Sequence, residues 1–312
     1  MVERDLAARP VRSAAMAVLL GLFVALTYGA GDFCGGIASK QARTSVVVFG
    51  AFALSLVALA AVTAGWALVG DIPALTGHDL AVGMATGVIG PIGVGLLYRG
   101  LSLGRMSVVA PTTAVVAAVV PFAWGLAHGE RPGGVALVGA GVAMVAVILI
   151  SAAPAHPEDT APTHEASHPL TGLVATAVAS GLAFGVVFVL LASATADGGL
   201  WPLVAARATA VAGGLPLLVL VGRRAGRTAN DSLVPPRPAW APVVGAGVLD
   251  VTANAAYLAA TRTGLLSVVA VVSSLYPAST VVLARVVLGE RLHRLQIVGL
   301  VLAAAGVVAL AT

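Results

Sequence analysis

The chain has 312 residues, of which 59% are hydrophobic and only 10% charged, and its mean hydropathy is +1.02. An ordinary soluble domain carries about 25% charged residues. This composition leaves too little polar surface to cover a soluble core, so it excludes a soluble enzyme or binding module and indicates a polytopic, all-α membrane protein. The net charge of +4 comes from loops without a Lys/Arg-rich tract of the kind that tracks nucleic acid, and a single cysteine, Cys34, excludes an internal disulfide.

Arg4, Arg9 and Arg12 precede an apolar run from Ala14. The run is too long for a signal-peptide core and has no clean small-residue cleavage site, so it reads as the first spanning helix. A span needs about 20 mostly apolar residues. Ten stretches qualify: roughly 14–38, 45–69, 80–98, 107–127, 134–152, 170–195, 200–221, 240–260, 265–288 and 294–311. Turn chemistry separates them, as at Gly70-Asp71-Ile72-Pro73, Gly129-Glu130-Arg131-Pro132 and Pro235-Pro236-Arg237-Pro238. Helices are the expected element, because barrel strands would appear as short alternating segments. Gly31/Gly35 and Gly83/Gly87 have the small-xxx-small spacing of helices packed closely in lipid. The segment SAAPAHPEDTAPTHEASHP (151–169) is rich in Pro, Ala and polar residues, lacks periodicity, and reads as a flexible linker.

The two sides of that linker repeat. SVVAPTTAVVAAVVPFAWGLAHGER (107–131) aligns without gaps to SVVAVVSSLYPASTVVLARVVLGER (267–291), opening on Ser-Val-Val-Ala and closing on Gly-Glu-Arg in both copies. Tyr98 and Tyr257 occupy similar places upstream. Five spans per copy is an odd number, so the second copy enters the membrane in the opposite sense. The predicted organisation is therefore a first five-helix repeat over 1–152, a linker over 153–169 and an inverted second repeat over 170–312. Inverted repeats are the sequence mark of secondary transporters, which rock one half against the other around a midplane site.

SVVAVVSSLYPASTVVLARVVLGERLHRLQIVGLVLAAAGVVAL (267–310), with Tyr276-Pro277, Gly289-Glu290-Arg291, Gln296 and Gly299, closely resembles the EamA-type branch of the drug/metabolite transporter superfamily. Gly129-Glu130-Arg131 and Gly139 repeat the likeness in the first half, and together the two copies cover nearly the whole chain. The resemblance implies ten helices in two inverted halves, a central cavity, and export or exchange of a small metabolite, without naming the cargo. The chain departs from the pattern in having no proline opposite Pro277 and in its long linker.

Four charged side chains fall within the spans: Asp32, Arg207, Asp250 and Arg285. Charge at bilayer depth costs roughly 2.5–3.5 kcal/mol even on lenient scales, so these groups should face the bundle interior or water. Asp250, Asn254 and Tyr257 share one helix face, as do Tyr28 and Asp32. Each set reads either as cavity lining or as a buried network holding helices together. Arg207 reads as the counter-ion of one aspartate or as an anion-binding group, and Arg285 as snorkelling to the interface. Thr112 beside Pro111, and Ser273 and Tyr276 beside Pro277, lie at matched depths where interrupted helices mark a transporter site. The expected cargo-binding set is thus Tyr28, Asp32, Tyr98, Thr112, Asp250, Asn254, Tyr257, Ser273 and Tyr276. Glu130 and Glu290 each sit before the next helix, where the dipole favours a carboxylate. His156, His164 and His168 cluster with Glu158, Asp159 and Glu165, but no rigid element fixes them as a metal site, and no cofactor is expected.

Gly29-Ala30-Gly31-Asp32 also has the G-x-G-D form of an intramembrane aspartyl protease aspartate, with Asp250 as its partner in an alternative reading. Motif order runs against it: in that family G-x-G-D follows its partner aspartate in an adjacent helix, whereas Asp250 comes far later here. A channel or non-transporting scaffold is a further alternative. No G-x-x-x-x-G-K-[ST] appears, which leaves a nucleotide-driven pump without its motif. The expected partners are a small-molecule cargo, membrane lipid and protons as a candidate coupling ion, with no nucleic acid, in a monomer or homodimer of the cell membrane. Ten spans place both termini on one side. The positive-inside rule would put them outside, since Arg4, Arg9, Arg12, Arg131 and Arg262 are fewer than the Lys/Arg opposite, whereas the resemblance and the basic N-terminal tail put them inside.

Overall fold

Twenty-odd apolar residues between turn signals can satisfy their backbone in lipid only as helix. In the computed structural model every such stretch is helical. The structure describes residues 2–70, 73–102, 106–151, 170–224, 234–287, 289 and 292–311. For some helical residues, including 2–14, 98–102, 106–108, 110–111 and 219–224, it describes the backbone alone. The linker over 153–169 with its histidines, the Tyr98 side chain, Glu290 and Arg291 therefore lie outside the described residues.

Eleven α-helices follow one another among the described residues: α1 (Val2–Gln41), α2 (Thr44–Val69), α3 (Gly77–Ser102), α4 (Met106–Ala127), α5 (Gly134–Ser151), α6 (Leu170–Ala192), α7 (Trp201–Arg224), α8 (Trp240–Thr261), α9 (Leu266–Ser273), α10 (Tyr276–Val287) and α11 (Arg294–Leu310). Among the described residues there is no strand. Seven helical stretches among the described residues are long and apolar enough to cross a membrane, and Thr112–Ala127 and Arg294–Leu310 are shorter apolar helices.

The stretch predicted as one span over 265–288 is interrupted at Ser274-Leu275, giving α9 and α10. Pro277 has no N–H to give the Ser273 carbonyl four residues back, which weakens the helical ladder at this point. Hydroxyls take up the slack: Ser274 Oγ donates to the Val271 carbonyl (2.7 Å), and Ser279 Oγ to the Tyr276 carbonyl (2.8 Å). Ser279 also donates to Ala25 (2.8 Å) and Thr280 to Gly29 (3.1 Å), which fastens α10 onto α1.

The two halves interleave rather than sitting side by side. α1 packs along α8 and against α9 and α10, α6 packs along α3 and α4, α2 lies against α7 and α8, and α5 pairs with α11. Small residues permit these approaches. A Cβ on Gly87 of α3 would stand 2.4 Å from the Ala206 carbonyl of α7, and one on Gly83 would stand 2.5 Å from the Pro202 carbonyl. α9 is buried along its whole length, and the outward faces of α2, α5 and α11 carry exposed Val, Leu and Trp, as lipid contact requires.

Because backbone atoms of α7 occupy the space, Gly87→Val should overpack the α3–α7 contact at a cost of about 1–3 kcal/mol. Nothing lies within 4 Å of a Cβ at Gly90, so Gly90→Ala should be neutral or stabilising by up to ~1 kcal/mol. Thermal unfolding in detergent checks both; equal midpoints for the two variants would contradict the packing.

Candidate functional site

Two carboxylates on different helices face one cavity of about 70 Å³. From α1, Tyr28, Gly31, Asp32 and Gly35 line it, positions that recur on one helical face. From α2 come Val47, Val48, Ala51 and Phe52, from α3 Val94, and from α8 Ala246 and Asp250, one turn apart. The wall is otherwise apolar, so the carboxylates supply its charge.

Their surroundings differ. Arg207 of α7, whose side chain is 8% exposed, forms an ion pair with Asp250 Oδ2. Asn254, one turn along α8, donates from Nδ2 to the Asp250 carbonyl (2.8 Å) and more weakly to Oδ1 (3.3 Å). The guanidinium also stands 4.9 Å from the centre of the Phe52 ring, a cation–π contact. Arg207 thus sits behind the wall, holding Asp250 from one side and backing Phe52 from the other. Asp32, by contrast, is exposed to the cavity and has no hydrogen-bond or ion-pair partner among the described residues.

An aromatic column stands beneath. Phe188 of α6 stacks on Tyr257 at 4.7 Å between centroids and tilts against Tyr28 at 6.1 Å. Tyr257 is fully buried and its hydroxyl lacks a partner, as does the buried hydroxyl of Ser273. The expected set therefore divides. Tyr28, Asp32 and Asp250 meet at the cavity and Asn254 supports it. Tyr257 and Ser273 lie in the core, Thr112 and Tyr276 are half-buried on α4 and α10, and neither lines the cavity. Sharing a face with Asp250 did not place Tyr257 at the same depth, since seven residues carry it about 10 Å along the axis.

The glycines of Gly29-Ala30-Gly31-Asp32 are packing positions. A Cβ on Gly29 would meet Ser279 Oγ and the Tyr276 carbonyl of α10, and Gly31 lies against Leu249 and Asp250 of α8.

At the end of the bundle where α3, α5, α7 and α9 begin, polar contacts cross between the halves. Asp79 accepts from the Thr195 backbone N–H (2.8 Å), the Thr195 hydroxyl (2.6 Å) and the Thr76 hydroxyl (2.7 Å). Trp201 Nε1 donates to the Pro73 carbonyl (2.7 Å), and, within the second half, Arg262 donates to the Thr195 carbonyl (2.7 Å). Glu130, turned by Gly129 at φ 94°, does not cap the helix that follows it, contrary to the sequence reading. Its carboxylate instead accepts from the backbone N–H groups of Leu266 (2.6 Å) and Ser267 (2.9 Å), the first turn of α9. Four orphan donors at a helix start make such a partner favourable. Nothing in residues 107–131 says which helix start lies within reach. Asp79 was legible only as the end of Thr76-Gly77-His78-Asp79, a capping-box pattern, with no hint of Thr195.

Removing one member of a buried ion pair costs about 3–5 kcal/mol, because the other charge is left uncompensated. Here the lower end applies, since the Asp250 side chain is 33% exposed to the cavity. Arg207→Met should thus lower the unfolding midpoint more than Arg207→Met/Asp250→Leu does. A double-mutant cycle in detergent measures the coupling; additive effects would contradict the pair.

The sequence pattern of the EamA-like transporter family matches the chain twice, over residues 15–152 and 171–312. No protein of curated function matches it. A solved crystal structure of a protein superposes with a TM-score of 0.70 at 16% identity, covering 94% of this chain and 95% of that chain, a likeness of fold alone. With its apolar spanning helices the chain is an integral multi-pass membrane protein, and it belongs to the EamA-like transporter family.

Proposed function

We propose that the chain is a secondary transporter that exports or exchanges a small metabolite by alternating access, built as ten spans in two inverted five-helix repeats over 1–152 and 170–312, with the cell membrane as its location. The observation that carries this reading is a one-sided cavity. Asp32 and Asp250 line a space toward the ends of α1 and α3 and the starts of α2 and α8, while the opposite end is tied between the halves by Asp79, Trp201 and Glu130.

The packing supports the inverted arrangement. Exchanging the halves turns α1 on α8 into α6 on α3, and α1 on α9 and α10 into α6 on α4, and all of these contacts are present. A bundle of this kind has a second arrangement available in which the halves trade roles, closing the open end and opening the closed one. In the proposed cycle Asp32 and Tyr28 contact the cargo, Asp250 shapes the far wall, and Arg207 and Asn254 hold Asp250 in position. Asp32 is also the candidate site for a coupling proton, being the carboxylate that no arginine engages. Nothing supports the aspartyl-protease alternative: Asp250 is committed to Arg207 and Asn254, and the glycines before Asp32 pack helices.

Proteoliposomes loaded with a pooled labelled metabolite library test the reading. Wild-type protein should move at least one solute, and Asp32→Asn and Asp250→Asn should each slow it at least about tenfold, the scale of one lost charged interaction of ~1.4 kcal/mol. Absence of any flux by the wild-type protein would overturn it, as would undiminished flux by both variants.

A further inference from the structure

The charge distribution of the cavity carries an inference about what the cavity holds, and it rests on the transporter reading above. Of the described residues that line it, those of the charge-bearing types Asp, Glu, Lys, Arg and His are Asp32 and Asp250, both carboxylates, with Tyr28 beside them. The cation that belongs to this region, Arg207, is behind the wall with its guanidinium on Asp250 Oδ2 and against the Phe52 ring. Asp250 is therefore neutralised by its own partner and tethered again by Asn254. Asp32 is not: it stands open to the cavity with no hydrogen-bond or ion-pair partner among the described residues. Asp32 is thus the carboxylate of the site that has no compensating cation, and it stands among the apolar walls of Val47, Val48, Ala51 and Val94.

We propose that the cargo is a small organic cation, an amine without a carboxylate of its own, whose ammonium group is received by Asp32 while its hydrocarbon part lies along α2. A carboxylate set among apolar walls attracts a cation and repels an anion more strongly than one in bulk water. A zwitterionic amino acid fares worse than the matching amine, because its carboxylate meets Asp250 and finds no free cation: Arg207 is already engaged. Size follows from the space. A cavity of about 70 Å³ holds a few waters, well short of the roughly 300–1,000 Å³ of drug-sized sites. A short alkyl or aralkyl ammonium fits with modest opening of the wall.

The test is a matched panel on the full-length protein in detergent and in proteoliposomes. Each member of a series from methylammonium and butylammonium to phenethylammonium is compared with the alcohol, the carboxylate and the α-amino acid of similar skeleton. Binding is read as a dose-dependent rise of the unfolding midpoint, and flux as uptake of the labelled compound. At least one ammonium ion should bind at least tenfold more tightly than its carboxylate and amino-acid counterparts. Asp32→Asn should abolish the difference and Asp32→Glu should restore part of it, while Arg285→Gln, at a residue that does not line the cavity, should leave it unchanged. The inference is overturned if no ammonium ion binds, if carboxylates or amino acids bind as well, or if selectivity survives Asp32→Asn. Selective binding through Asp32 with no flux of any solute would keep the cation class and remove the transport reading. Flux of a carboxylate-bearing solute indifferent to Asp32 would do the reverse.

Discussion

A charge inside a membrane protein must be neutralised or used, and in this chain the Arg207–Asp250 pair is where that constraint shapes the structure. Arg207 arrives on α7 and Asp250 on α8, so their contact helps set how the second repeat packs around the cavity. Asn254 adds a bond from the next turn of α8 and Phe52 covers the guanidinium from α2. Three helices are thereby referred to a single pair of charges. With Asp250 satisfied from within the protein, Asp32 becomes the carboxylate left to the cavity. The asymmetry between two chemically identical side chains arises from their neighbours, as pairs of acids with distinct tasks generally do.

The rest of the architecture serves the same cavity from its two ends. The interruption at Ser274-Leu275 lets α9 stay wholly buried while α10 leans on α1 through Ser279 and Thr280, close to Tyr28. At the closed end Glu130 reaches from the first repeat to the first turn of α9 in the second, and Asp79 reaches from α3 to Thr195 after α6. These are hydrogen bonds between halves, strong singly because a carboxylate accepts them and few enough in number to be exchanged for others. Small residues at the helix contacts, such as Gly87 against Ala206, allow close approach without locking side chains together.

Much of this was legible in the sequence, for identifiable reasons. Hydropathy marks spans because lipid admits only helices, and the gapless match of 107–131 to 267–291 exposes the two copies without any structural knowledge. Asp32 with Tyr28, and Asp250 with Asn254, follow from helical spacing. The remainder depends on which helices meet. Val48, Phe52 and Val94 look like any lipid-facing residue until α2 and α3 are placed around Asp32. Arg207 could serve either aspartate by sequence, and only tertiary packing gives it to Asp250. Glu130 was expected to serve the helix after it and serves α9 instead, 136 residues away from Leu266. Periodicity assigns Tyr257 to the correct face but is blind to depth, and so placed it at the cavity rather than in the core.

The central claim is that the cavity of Asp32 and Asp250 opens away from the end tied by Glu130 and Asp79. The most direct test is sided labelling in a Cys34→Ser background, using single cysteines at Val48 in the cavity wall and Ser267 behind the Glu130 cap. A membrane-impermeant maleimide applied from the side where α1 ends and α2 begins should modify Val48→Cys at least about tenfold faster than the same reagent applied from the side where α3 and α9 begin, with Ser267→Cys protected from the former. Equal reactivity of Val48→Cys from either face, or labelling of Ser267→Cys from the side where α1 ends, would contradict it.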